Sequence, residues 1–245
     1  MSCALRLRRR HLVLALAGLM AAPTLGRAAT LNLTSQHLTT VATCALIGFP
    51  TTSGVDIDTY ADQNAPTTTN GTKATINVQS NASKNQRAYI KFDLTKCIFA
   101  PASTVIVRAA WLELFVNKLA PACRTEDVFA LGSAWSDTTL TWNNQPSPPG
   151  TTLNNPPSGN RSASAAVGNV SACANHTNNS YVSFDVTTDV STFVAGTSTN
   201  HGWMIRDDVE DSATNQQNTF QVGFDPSYYD ARARFVYGAI KYEFR

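Results

Sequence analysis

The chain has 245 residues and a formal net charge of +2, with 43% hydrophobic and only 15% charged residues. That composition excludes a disordered polyelectrolyte and a coiled coil, and it leaves ample apolar material for a folded core. The small positive charge resides at the N terminus, where Arg6, Arg8, Arg9, Arg10 and His11 precede an apolar run over residues 12–22.

Gly26-Arg27-Ala28 supplies small residues for a cleavage site, so residues 1–28 are predicted to be a signal peptide. The Arg9-Arg10 pair also suits twin-arginine export. The leader holds five of the 19 basic residues and no acid, which leaves 14 basic against 17 acidic residues and a net charge of −3 for residues 29–245. Binding to nucleic acid by bulk charge is thereby excluded. No apolar stretch is long enough for a membrane-spanning helix, so export to the periplasm, cell surface or medium is expected without membrane insertion. With Cys3 in the leader, Cys44, Cys97, Cys123 and Cys173 remain. An even count in an oxidising compartment predicts two disulfides, with three connectivities open.

Residues 41–49 are predicted to be a first strand. Residues 56–60 follow, then the turn signals Asn64-Ala65-Pro66 and Asn70-Gly71, then an alternating stretch over 72–78. Residues 87–94 alternate cleanly: Ala88, Ile90, Phe92 and Leu94 point inward, and Arg87, Tyr89, Lys91 and Asp93 point outward. Residues 105–116 are a longer strand, apolar enough on both faces to be covered on both over part of its length. Trp135 ends the next apolar run, and Thr139, Leu140, Thr141 and Trp142 read as a strand closed by Asn143, Asn144, Gln145 and Pro146. Residues 143–180 form a long loop rich in Pro, Ser and Asn, tied back to the body through Cys173. Val182, Phe184 and Val186 alternate inward in a strand over 181–186. Val190, Phe193 and Val194 then make one helical turn that ends at Gly196. Strands over 202–206 and 219–224 flank an acidic turn at 207–211, and 235–244 is a closing strand. Many short strands with a single helical turn predict an all-β chain. The expected architecture is a disulfide-stapled β-sandwich of jelly-roll type in which residues 29–245 form one domain.

Three segments taken together carry a family resemblance: FDLT at 92–95, AWSDTTLTWNNQP at 134–146 and FDVT at 184–187. In this order they resemble the DNRLRE-type domains, also called carbohydrate-binding module family 96. The segment from Asp58 to Val78 is similar to that family's first hairpin. The resemblance covers about residues 55–245, apart from an insert at 146–180. Asp137 stands where the family usually has Glu, and an alanine replaces a proline at the entry to the last strand. The resemblance implies a secreted, non-catalytic module that binds a polysaccharide or cell-surface glycan. An extracellular structural or adhesive protein using the same sandwich is the alternative, and a glycoside-cleaving enzyme is a third.

The residues offer little chemistry for catalysis. No GxSxG, HExxH or Walker motif occurs, and only His37, His176 and His201 lie beyond the leader. Asp93, Asp137, Asp185 and Asp189 are the carboxylates a glycosidase pair would draw on, yet each reads as a strand-end or turn residue. Trp135 and Trp142 read as core residues, and the amides after them as turn-satisfying groups. Sugar-stacking candidates are Tyr89, Lys91 and Trp111 on the outward phase of their strands, with Trp203, Tyr228 and Tyr229 as a second group. Asp207, Asp208, Glu210 and Asp211 are the oxygens a structural calcium ion would use. No other cofactor is expected, and the expected state is a monomer.

Overall fold

The computed structural model describes residues 39–47, 56–97, 104–150, 152–153, 158–221 and 232–241. These form eleven strands and one α-helix: β1 Thr39–Ile47, β2 Asp56–Asp62, β3 Thr75–Ser80, β4 Gln86–Phe92, β5 Thr104–Lys118, β6 Arg124–Ala130, β7 Ala163–Val167, β8 Ser180–Asp185, α1 Thr187–Val194, β9 Trp203–Asp207, β10 Gln216–Gln221 and β11 Arg232–Lys241. Every strand pair is antiparallel. One layer is built on β5, which pairs with β8 along one edge and with β11 and β10 along the other; β1 extends it beyond β11 and β3 beyond β10. The other layer runs β2-β4-β9-β6-β7. β3 joins the layers through a single paired position, Gln79 with Gln86.

Period-two alternation explains why these segments are strands and which side they bury. Ala88, Ile90 and Phe92 of β4 meet Ala110, Leu112, Leu114 and Val116 of β5 in one buried cluster. Ile76 and Val78, Val182 and Phe184, Ile205 and Phe220 complete it from β3, β8, β9 and β10. The all-β sandwich is therefore as expected. α1 adds Val190 to the same core, and Gly196 (φ 70°) turns the chain out of the helix in a conformation that disfavours any side chain.

Two local expectations are corrected. Residues 139–142 are not a strand, because Trp142–Asn144 is a 3-10 turn. Asn144 Oδ1 accepts the Thr141 N–H (2.7 Å) and Asn144 Nδ2 donates to the Thr139 carbonyl (2.9 Å), so local side-chain bonds replace a sheet ladder. The long loop also contains β7, paired with β6, where Ala163, Ala165 and Val167 alternate in a short and weakly apolar run.

Cys123 and Cys173 form a disulfide with a Cα–Cα distance of 5.4 Å, tying the loop to the entry of β6. The side chains of Cys44 and Cys97 lie outside the described residues, as do residues 1–28.

One end of the core is polar. Asn218 Nδ2 donates to Glu126 Oε1, while Asn218 Oδ1 accepts the Ala120 N–H (2.7 Å) and Gln216 Oε1 accepts the Ala122 N–H (3.0 Å). Glu126 is buried, and its Oε2 has no hydrogen-bond partner. Burial, reinforced by the Asp207 charge, pushes its carboxyl up to about 8. Burial pushes Asp207 up as well, but Arg124 remains bonded to it (2.7 Å) and offsets part of the cost.

Candidate functional site

The outer face of β4, β9 and β6 is covered by the strap of residues 131–153. Tyr89, Phe129 and Met204 project outward and bury against Leu131 and Leu140, with Trp135, Trp142 and Leu153 packed around them. Trp135 lies edge-on to Tyr89 (5.8 Å between centroids), and its Nε1 donates to the His201 carbonyl (2.7 Å). The strap also docks on the β2–β3 connection, where the Asn143 N–H donates to the Pro66 carbonyl (3.2 Å). A Cβ on Gly71 would lie 2.4 Å from the Asp137 carbonyl oxygen, so this approach requires glycine.

Beneath the strap lies a buried polar network. Arg87 donates through Nε and Nη2 to the two Glu210 oxygens (2.7 Å each) and through Nη1 to Gln145 Oε1 (3.4 Å), and its guanidinium sits 4.6 Å from the Trp142 ring centroid. The Tyr89 hydroxyl donates to the same Gln145 oxygen (2.7 Å), and Gln145 Nε2 donates to the Trp142 carbonyl (2.8 Å). Arg206 reaches the Leu153 carbonyl (3.1 Å) and Glu210 (3.3 Å). Burial works against the charge on Arg87, but the bonds and charge of Glu210 more than offset it and hold its pKa above the usual value; burial lowers that of Arg206. Burial also raises the Tyr89 pKa, so this phenol stays protonated and donates.

Above this base, residues 132–134, 144–150 and 152 border a shallow, open surface cleft of about 880 Å³. Ser133, Asn144, Ser147 and Thr152 give it amide and hydroxyl groups and Pro149 an exposed apolar edge, while Gln145, Pro146 and Pro148 border it but are buried. Among the described residues that line it, none is charged. Such a cleft can exchange hydrogen bonds with hydroxyl groups and pack C–H faces on proline, which is the chemistry of sugar recognition.

The structure distributes the sequence candidates differently. Tyr89 is on the outward phase as expected, but the strap covers it and its surface exposure is 0%. Trp203 is also fully buried: it faces the core, and its Nε1 donates to Asp189 Oδ2 (2.7 Å). These two rings support the fold and present no face to a ligand. Lys91 is half-buried on the outer side of β4. Trp111 is half-buried on the opposite layer, where the strand registers place it beside Asp185 of β8 and Arg234 of β11. The strap residues and Trp111 are therefore on different faces of the sandwich. Tyr228 and Tyr229 lie outside the described residues.

In the acidic turn the carboxylates already have partners. Asp207 pairs with Arg124, and Glu210 with Arg87 and Arg206. Asp211 accepts from Asn85 Nδ2 (2.8 Å) and from the Ser83 N–H (3.1 Å), bonds that lower its pKa. Asp208 is exposed. Among the described residues no group of three His, Cys, Asp or Glu side chains converges on a metal position. The cleft residues Ser133, Ser147 and Thr152 were not legible as a group. The signal for this segment in the sequence was the density of proline at 146–149, of which Pro149 is exposed and Pro146 and Pro148 are buried.

The described residues thus form a two-layer antiparallel sandwich with a polar, hydroxyl-bearing surface cleft on its strap. Residues 50–167 match the model of carbohydrate-binding module family 96, so this part of the chain is similar to that family's domains. No curated protein matches the chain. The match ends at the last residue of β7 and encloses the whole cleft.

Proposed function

We propose that residues 29–245 act, after export and removal of the leader, as a single-domain, monomeric, non-catalytic polysaccharide-binding module, with the strap cleft as its glycan-binding surface. The observation that carries this reading is the coincidence of the family match with the cleft. Two features support it further. The amides and hydroxyls of the cleft stand on a base fixed by Arg87, Tyr89 and Glu210, which lowers the ordering cost of binding. The described residues that line the cleft carry amides, hydroxyls and prolines and no carboxylate. Among the described residues no helix is long and apolar enough to cross a membrane.

The test is a pull-down of the protein spanning residues 29–245 with insoluble and soluble polysaccharides, with released reducing ends assayed in the same tubes. Saturable retention without release is the expected result. Release of sugar would reassign the protein as an enzyme. A folded protein retained by no glycan would sink the reading.

A further inference from the structure

We propose that Glu126 is a proton-operated latch for the disulfide-tied end of the sandwich: protonated it stays closed behind residues 119–123 and 168–175, and ionised it reaches water by lifting them. This cover is one piece. Cys123 and Cys173 cross-link its two segments, the Asn169 N–H donates to the Ala120 carbonyl (2.8 Å), and Gly168 lies so close to the Ala122 carbonyl that a Cβ has no room. Side chains of β10 hold it down, because Asn218 Oδ1 accepts the Ala120 N–H and Gln216 Oε1 accepts the Ala122 N–H. The first of these bonds orients the Asn218 amide, so that its Nδ2 donates to Glu126 Oε1 and reaches towards the Val167 carbonyl (3.5 Å). One amide thus ties the carboxyl to the cover.

The surroundings disfavour a charge on Glu126 while the cover is shut. Glu126 is 1% exposed and its Oε2 has no hydrogen-bond partner, so ionisation adds charge without adding a bond. Asp207 of β9 stands directly opposite in the strand register, and Asp208 follows it. Arg124, on β6 itself, commits Nε and Nη2 to the two Asp207 oxygens (2.7 and 2.6 Å), so its charge is matched there first. On the inner face β7 offers Ala165 and Val167, β10 offers Gln216 and Asn218, and β3 offers Val78 and Ser80, none of which titrates. Lys118 and His176 flank the cover and are exposed; His176 Nδ1 lies 2.7 Å from the Cys173 carbonyl. Burial and the Asp207 charge push the Glu126 carboxyl up to about 8. It therefore holds its proton more tightly closed than open, and the open form gains population as pH rises from the ordinary carboxylate range to about 8, and no further above it. Lifting the cover breaks the bonds to Asn218 and Gln216 but leaves both sheet ladders intact, which makes it the shortest route for water to Oε2.

The experiment is hydrogen exchange of the protein spanning residues 29–245, disulfide intact, followed from about pH 5 to about pH 9 and corrected for the intrinsic exchange rate at each pH. The amides of Ala120, Ala122, Gly168 and Asn169 are expected to lose protection by up to about tenfold per pH unit between about 5.5 and 7.5, because opening releases one proton. The loss should level off above about 8. At every pH these amides should stay less protected than residues 110–114 at the centre of β5, which marks an opening short of unfolding. Glu126→Gln is expected to flatten the profile to less than about twofold, since an amide does not ionise. His176→Asn, in the cover but away from the carboxyl, should keep the full slope. Should Glu126→Gln fail to fold, the profiles of the parent and of His176→Asn carry the test. Cover amides whose protection is flat over the same range overturn the proposal, as does a slope that disappears in His176→Asn. Cover amides protected as strongly as the centre of β5 overturn it too, because Glu126 then meets water only on global unfolding.

Discussion

The layer β2-β4-β9-β6 is buried on both sides, by opposite means. Its inner face is covered by another sheet, apolar against apolar, with Ile90, Phe92 and Ile205 meeting Leu112 and Leu114. Its outer face is covered by a strap, and there the sheet offers Arg87, Arg206 and Asp127 as well as Tyr89, Phe129 and Met204. The inner face needs only shape. The outer face is stable only if every charge beneath the strap is matched, since a buried ion without its partner is among the costliest defects a fold can carry. The comparison teaches that the strap and the network under it are one cooperative unit, and that the cleft it frames is only as firm as Arg87 and Glu210.

The largest expected effect follows from that. Arg87→Met keeps the apolar stem but leaves Glu210 with Arg206 alone, removes a donor from Gln145 and takes the cation off Trp142. A loss of about 3–5 kcal/mol is expected in denaturant unfolding. Hydrogen exchange should show residues 131–147 loosening before the inner core does. If the strap and the inner core lose protection together, the two faces do not behave as separate units.

Glu126→Gln probes the inner face where it stops being apolar. A carboxyl whose folded pKa of about 8 stands above its unfolded value binds more protons when folded, so stability falls as pH rises from the ordinary carboxylate range to about 8. Below that range the contribution is fully present; above about 8 it is fully lost. The amide does not titrate and should flatten this slope, leaving the variant more stable than the parent at pH 8 by about 2 kcal/mol or more. A parent protein whose stability is flat between pH 5 and 8 would show that Glu126 is not held neutral by its surroundings.

The inner face was legible in the sequence because alternation is local: Ala88, Ile90, Phe92 and Leu94 state their side within eight residues. The same alternation put Tyr89 on the outer side correctly, but it carried no information about what covers that side. The cover comes from a segment 56 residues further on, and its link to Tyr89 is one amide oxygen of Gln145. Trp203 misled for a related reason, since an indole N–H bonded to Asp189 in the core looks the same in sequence as one waiting for a sugar. Most charged residues of the acidic turn read as possible ion ligands because arginine partners lie far off in the chain, Arg87 123 positions before Glu210 and Arg124 83 before Asp207; Arg206, four positions before Glu210, is a local partner.

The smallest expected effect separates scaffold from ligand within the strap itself. Asn144 Oδ1 accepts the Thr141 N–H and hydroxyl (2.7 and 3.1 Å), and its Nδ2 donates to the Thr139 carbonyl (2.9 Å). Asn144→Ala removes all three at an exposed turn, which should lower stability by about 1 kcal/mol and weaken glycan binding with it. Asn144→Asp keeps the Oδ1 acceptor but turns a carboxylate oxygen toward the Thr139 carbonyl, so it should recover only about half of that stability. It also removes both amide N–H groups and places a negative charge in a cleft that otherwise has none. Calorimetric titration with an oligomer of a glycan that the pull-down retains should therefore show the aspartate variant binding at least as poorly as the alanine variant although its fold is firmer. Binding that instead follows stability, with aspartate close to the parent, would give Asn144 a purely structural role and move ligand recognition to Ser133, Ser147 and Thr152.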